Sequence, residues 1–209
     1  MKYLLKVITI LAAVMAWGFA STPVTAEDDS EHHLRLSSTT FANGAPQLPL
    51  SMIFDRCTST GVKGGNQSPE LSWKGVPEDT RSFVVILYDP VADFTHWGMY
   101  NISGEATGLA ANAGVSGSPD GSQVFNDFGD PFYDGPCPPT SLAPQTHLYV
   151  FTLYALDEEL VLPAFGDFKA FTPTGEALYQ ALIKAALQGH ILDTATIDGF
   201  YSATIPPGP

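Results

Sequence analysis

The sequence predicts a mainly β domain, an antiparallel β-sandwich with few peripheral helices, on three observations. Phe83-Val84-Val85-Ile86-Leu87-Tyr88 is an unbroken apolar run rich in β-branched and aromatic side chains, the pattern of a strand buried on both faces. Residues 148–156 place Val150, Thr152 and Tyr154 on one face of a strand and Tyr149, Phe151 and Leu153 on the other. Turn formers recur between such runs, with 19 glycines and 17 prolines spread along the chain, while helical periodicity is strong in one place only. Many short strands, frequent turns and a single clear helix define the class.

The first 26 residues read as a targeting segment. Lys2 and Lys6 give a positive start, residues 7–20 are nearly all apolar, and Val24-Thr25-Ala26 offers small residues for cleavage ahead of Glu27-Asp28-Asp29. No cysteine follows the apolar run, so a cleaved signal peptide is expected and a lipid anchor is not. Removing 26 of the 209 residues leaves 183, made of an acidic leader over 27–33 and one domain over 34–209. A chain of that size buries roughly 70% of its surface on folding. No other stretch is long and apolar enough to span a bilayer, so stable membrane insertion is not expected. The implied compartment is periplasmic or secreted.

Within the domain, residues 34–36 and 50–54 read as the opening strands, split by the turn signal Asn43-Gly44. Gly61, Gly64 and Gly65 mark a polar loop over 61–68; no Gly-Lys-Ser/Thr follows, so it is not a phosphate cradle. The 83–88 strand ends at Asp89-Pro90, and residues 96–102 read as the next strand. Residues 104–130, rich in Gly, Ser, Asn and Asp, form a long irregular excursion, a length that is usually functional or closely packed. Leu178, Ala181, Leu182 and Ala185 recur at i, i+3, i+4 and i+7, with Pro173 near the start and Gly189 as a stop. They predict a helix laid on the sheet.

The formal charge of −13 becomes −15 once Lys2 and Lys6 are removed. Long-range repulsion then opposes nucleic acid and anionic bilayers as partners and leaves neutral, cationic or small ones. Cys57 and Cys137 are the two cysteines. In an exported chain such a pair is most simply a disulfide, here closing a loop worth about 4–5 kcal/mol in the chain-entropy model. A catalytic thiol would need a neighbouring base, which nothing in the sequence supplies.

Asp89, His96, His147 and Tyr149 lie at or near strand ends, where a sheet fixes the backbone and adjoining loops leave side chains accessible. Each also has a plain structural reading: an aspartate before proline is a common turn former, and an isolated histidine entering a strand is often a core residue. The order of four motifs separates the readings. Asn66-Gln67-Ser68-Pro69-Glu70-Leu71-Ser72-Trp73, Asp89-Pro90…His96-Trp97, Tyr133-Asp134-Gly135-Pro136-Cys137-Pro138-Pro139 and Thr146-His147-Leu148-Tyr149-Val150-Phe151 follow one another along the chain. In that order and rough spacing the chain resembles the phosphatidylethanolamine-binding protein family (PEBP), in its bacterial Raf kinase inhibitor-like, YbhB/YbcL-type branch, from about residue 34 to about 201.

The resemblance implies a PEBP-like sandwich with a small pocket for an anionic or phosphorylated ligand, such as a phospholipid headgroup. It carries the ligand-binding role to Asp89, His96, Pro138, His147 and Tyr149, with Pro139 beside them. It also leaves open a protein partner, met as by kinase- or protease-inhibiting relatives through the surface, and a homodimer. Two departures stand out: the usual Asp-Pro-Asp-Ala-Pro reads Asp89-Pro90-Val91-Ala92-Asp93, and the usual His-Arg-Tyr reads His147-Leu148-Tyr149. A carboxylate is thereby lost or moved to Asp93, and a cation is absent.

Catalysis, a cofactor and a metal are not expected. Two histidines and an aspartate could bind iron or zinc, but they lack tight ligand spacing. Gly114-Val115-Ser116-Gly117 lacks the second glycine position of a nucleophile elbow. Unperturbed histidine titrates at about 6.5, so protonation of His96 and His147 should tighten anion binding as the medium acidifies. His190, after the helix, is expected to be structural.

Overall fold

The computed structural model describes residues 33–58, 63–141, 145–162 and 173–204. Residues 1–26, expected as a targeting segment, and all of the expected 27–33 leader but His33 lie outside them. Among the described residues the strands are β1 (Arg35–Ser37), β2 (Leu71–Lys74), β3 (Ser82–Asp89), β4 (Phe94–Ser103), β5 (Gly108–Leu109), β6 (Ser122–Gln123), β7 (Thr146–Leu156) and β8 (Ile191–Ser202), with one α-helix, α1 (Gly175–Gln188), before β8. A three-stranded sheet, β1-β2-β5, packs on a five-stranded sheet, β6-β4-β3-β7-β8, and every strand pairing is antiparallel.

β3 explains why the sandwich closes on both sides. Its inner face, Phe83, Val85 and Leu87, joins Trp97, Met99, Phe151 and Leu153 against Leu36, Leu71 and Trp73 of the small sheet. Its outer face, Val84 and Ile86, joins Val124, Leu178, Leu182 and Ala185 beneath α1. Burial of each large apolar side chain contributes about 1.5–3 kcal/mol. β7 alternates as its sequence predicts, burying His147, Tyr149, Phe151, Leu153 and Ala155.

Thr174, next to the Pro173 noted in the sequence, caps the start of α1, and Gly189 is the stop that was expected. The Thr174 hydroxyl accepts from the Ala177 amide at 3.2 Å, and Gly189 closes the helix at φ +80°, donating to the Ala185 and Ala186 carbonyls. The helix rides close to the sheet because Gly98 lies under it. A Cβ there would sit 2.7 Å from Val124 Cγ2 and 2.9 Å from Leu178 Cδ2.

The structure corrects two expected elements. Residues 50–54 form no strand; Leu50–Met52 is a single 3-10 turn after Pro49, whose carbonyl takes the Met52 amide. The amides of Gly65, Asn66 and Gln67 bond the carbonyls of Leu50, Ile53 and Ser51, tying the segment to the glycine-rich loop instead of to a sheet. The 104–130 excursion holds two two-residue strands, β5 and β6, that cover the sheet edges. β8 was not expected, and it is the longest strand.

Candidate functional site

Asp89 closes β3 and does two jobs at once. Its Oδ1 accepts from the Val91 and Ala92 amides at 2.9 and 3.0 Å, which shapes the β3–β4 turn. Its Oδ2 accepts from His147 Nδ1 at 2.6 Å. β7 runs beside β3 with Tyr88 opposite Val150, and that register brings His147 to the same end of the inner face. Both side chains are almost wholly buried. An imidazole whose Nδ1–H is committed to a carboxylate is fixed in ring orientation and proton position.

His96 reaches the same end through a β-bulge. Leu87 pairs with Trp97, but Tyr88 pairs with Thr95, so β4 carries one residue more than β3 at this point. The extra residue shifts the alternation by one. His96 thereby joins Phe94 beside Asp89, while Thr95 is sent to the outer face against Gly175 of α1. His96 Nδ1 donates to the Asp134 carbonyl at 2.9 Å.

Asp89, His96 and His147 line a cavity of about 210 Å³ with Ala92, Phe94, Phe128, Cys137 and Pro139. The aromatic rim packs in series, Phe94 on Phe128 at 4.6 Å between centroids and Phe128 on Phe54 at 5.1 Å. Tyr149 lies behind, its ring 5.3 Å from that of His96 and 6.5 Å from that of His147. Burial, and then the Asp89 charge, push its hydroxyl up, and it is not among the residues that line the cavity. Cys137 is joined to Cys57 by a disulfide, with Cα atoms 4.9 Å apart, so the wall of the cavity is covalently tied to the opening loops.

Two expectations are revised. Pro138 does not line the cavity: it is buried, while its neighbours Cys137 and Pro139 face the space. Asp93 does not replace the missing family carboxylate there; it accepts from the Tyr88 hydroxyl on the outer side of the sheet. Among the described residues no group of three His, Cys, Asp or Glu is placed to hold a metal ion. His190 lies at the surface, its Nδ1 2.9 Å from Asp157 Oδ1, away from the cavity.

Burial pushes the His96 pKa down to about 4; the bond to the Asp134 carbonyl and the Asp89 charge oppose this and lose. His96 therefore stays neutral between about pH 5.5 and 7.5, against the expectation that both histidines charge in that range. With Nδ1–H given to Asp134, its Nε2 is an acceptor.

Sequence reasoning missed Phe94, Phe128 and the residue that holds Phe128 in place, Asn126. The Asn126 amide donates to the Phe132 carbonyl and Asp134 Oδ2 at 2.9 and 2.8 Å, and its Oδ1 accepts from the Phe128 and Asp130 amides. Asp134 Oδ1 takes Asn66 Nδ2 at 2.9 Å, and burial holds this carboxyl above its usual range. Asn126→Ala, which strips four hydrogen bonds from a buried side chain, should cost about 2–4 kcal/mol in urea unfolding.

A sequence model of the family described as phosphatidylethanolamine-binding protein matches residues 37–202. A UPF0098 protein of Methanothermobacter thermautotrophicus is 41% identical over 143 residues, covering 66% of this chain and 84% of the relative. A protein of Mycobacterium tuberculosis named for a lipoprotein, LppC, is 32% identical over 170 residues, 80% of this chain and 72% of its own. The crystal structure of Escherichia coli YbcL, titled a new member of the mammalian PEBP family, superposes with a TM-score of 0.62 at 32% identity, covering 81% of this chain and 98% of that one. Fold, motif order and matched length agree: this chain belongs to the phosphatidylethanolamine-binding protein family.

Proposed function

We propose that this chain is an exported binding protein that holds a small phosphorylated or carboxylated ligand, plausible in size as a phospholipid headgroup, and releases it unchanged. The observation that carries the reading is the meeting of Asp89, His147 and His96, all buried, in one aromatic-rimmed cavity at the strand ends. Asp89 fixes His147 so that its imidazolium form presents Nε2–H to an anion. The neutral His96 Nε2 accepts a proton-bearing ligand atom, such as a phosphate hydroxyl or a headgroup ammonium. Phe94 and Phe128 supply the apolar rim for whatever carries the anion.

Binding without turnover is supported by the chemistry of the lining. Its sulfur is locked in the disulfide, and among the described residues that line the cavity there is no serine beside the Asp89–His147 pair. Export is supported by the charge and apolar pattern of residues 1–26, by the disulfide and by the lipoprotein relative.

A thermal-shift screen of mature protein against inorganic phosphate, phosphoethanolamine, acetate and citrate tests the reading. Ligand at about 100 times Kd adds about 2.7 kcal/mol, a shift of several degrees. We expect a phosphate-type ligand to give this shift in the wild type and not in Asp89→Asn, with phosphorus NMR recovering the ligand intact. An unshifted wild type across the screen contradicts anion binding, and a converted ligand contradicts the absence of turnover.

A further inference from the structure

A second and larger cavity, about 660 Å³, opens on the outer face of the five-stranded sheet beside α1. We propose that it binds an organic ammonium ion carried on a short alkyl body. The β3–β4 turn divides the two cavities: Asp89 and Ala92 line the first, Pro90 and Asp93 the second. The volume is that of a small-molecule site, which usually spans roughly 300–1,000 Å³.

The chemistry of the lining selects a cation. Tyr88, Tyr154 and Tyr179 form its aromatic wall, with Tyr88 and Tyr179 edge to face at 5.9 Å. Burial pushes all three hydroxyls up, that of Tyr88 to about 12 with help from Asp93, so the rings are neutral and their faces electron-rich. The charged groups among the described lining residues are the carboxylates of Asp93, Asp127 and Glu176, and none of those residues is a lysine, arginine or histidine. Neutral donors hold each carboxylate. Asp93 accepts from the Tyr88 hydroxyl, Asp127 from the Thr95 amide at 2.6 Å, and Glu176 from Gln180 at 2.8 Å. Among the described residues none of the three is in an ion pair.

Ile86 and Val150 on the sheet and Ile183 on the helix add apolar surface for the alkyl body. Aromatic faces, uncompensated carboxylates and an apolar floor in one cavity together match an alkylammonium and mismatch an anion or a neutral sugar. Asp93 links the site to this chain's own sequence. It stands at the last place of the Asp-Pro-Asp-Ala-Pro pattern, where the resembling family has proline, and its carboxylate lies in this second cavity.

Calorimetric titration of mature protein with choline, and with its uncharged tert-butyl isostere, tests the proposal at physiological salt. Choline should bind, and the isostere should bind at least tenfold more weakly. Tyr179→Ala and Asp93→Asn should each weaken choline about fivefold, in line with one cation–π or one carboxylate contact. Tyr179→Phe, which keeps the ring, and His147→Ala, which alters the first cavity, should stay within twofold of wild type. Asp93 is exposed and sits at φ +54°, a conformation asparagine adopts as readily, so Asp93→Asn reports on charge and not on folding. No heat with millimolar choline, equal affinity for the isostere, or loss of binding in His147→Ala with retention in Asp93→Asn would overturn the proposal. Saturating inorganic phosphate should leave choline affinity unchanged, so failure here and failure of the anion site remain separate results.

Discussion

Opening the Cys57–Cys137 bridge should cost the folded protein about 4–5 kcal/mol, the largest single effect expected from any two substitutions here. The bridge closes 80 residues of sequence, including β2, β3, β4 and all of the first cavity's lining except Pro139 and His147. Its loss frees the unfolded chain far more than the folded one. Urea unfolding of a Cys57→Ala, Cys137→Ala double variant, set against wild type, reads the difference directly. A loss below about 1 kcal/mol would mean that the wall is held by its other contacts. Those contacts are real: Tyr133 Oη donates to the Met52 carbonyl at 2.9 Å, and Tyr201 Oη to the Cys57 carbonyl at 3.0 Å. Intact mass of exported material, alkylated without reduction, should give no free thiols and a chain beginning near Glu27.

Acid should unfold the protein through His96. Its folded pKa, about 4, lies below the ordinary 6.5, so the folded state resists the proton that the unfolded state accepts. A depressed folded value contributes stability that is fully present above about pH 6.5 and is lost as the pH falls towards 4. The shift corresponds to about 3 kcal/mol, and because the ring is almost wholly buried, little of it is relieved by solvent. Between about pH 7 and 4 the wild type should therefore lose about 3 kcal/mol more than His96→Gln in urea unfolding. Parallel profiles for the two proteins would show that the ring is solvated or already charged.

Much of this was legible in the sequence, and the reasons for the rest are physical. β3 and β7 announce themselves because one is buried on both faces and the other alternates. The helix does so because its apolar stripe runs from just after Pro173 to the Gly189 stop. β8 was readable too, since Ala195, Ile197, Gly199 and Tyr201 alternate inward, but threonines and aspartates between them mask the run. β5 and β6 are two residues each and carry no periodicity at all.

In the site, Asp89 and His147 could be placed from their positions at strand ends. The direction of His96 could not, because it rests on a bulge that no residue pattern marks. Phe128, held by Asn126, reaches the cavity only when the 104–130 excursion folds back on β4, through the Asp127 amide to the Thr95 carbonyl and the Thr95 amide to the Asp127 carboxylate. The low pKa of His96 follows from that same burial, which is why composition suggested two titrating histidines where the fold leaves His96 uncharged.

The central claim is that the cavity at Asp89, His96 and His147 holds a phosphate-type ligand between the two imidazoles. Calorimetric titration with glycerol phosphate at one pH, in wild type, His147→Ala, His96→Ala and the surface variant His190→Ala, tests it most directly. His190→Ala should bind within twofold of wild type. His147→Ala and His96→Ala should each bind about tenfold more weakly, the effect of one lost hydrogen bond of about 1.4 kcal/mol. No binding in wild type, or His147→Ala and His96→Ala proteins that bind as tightly as wild type, would contradict the account.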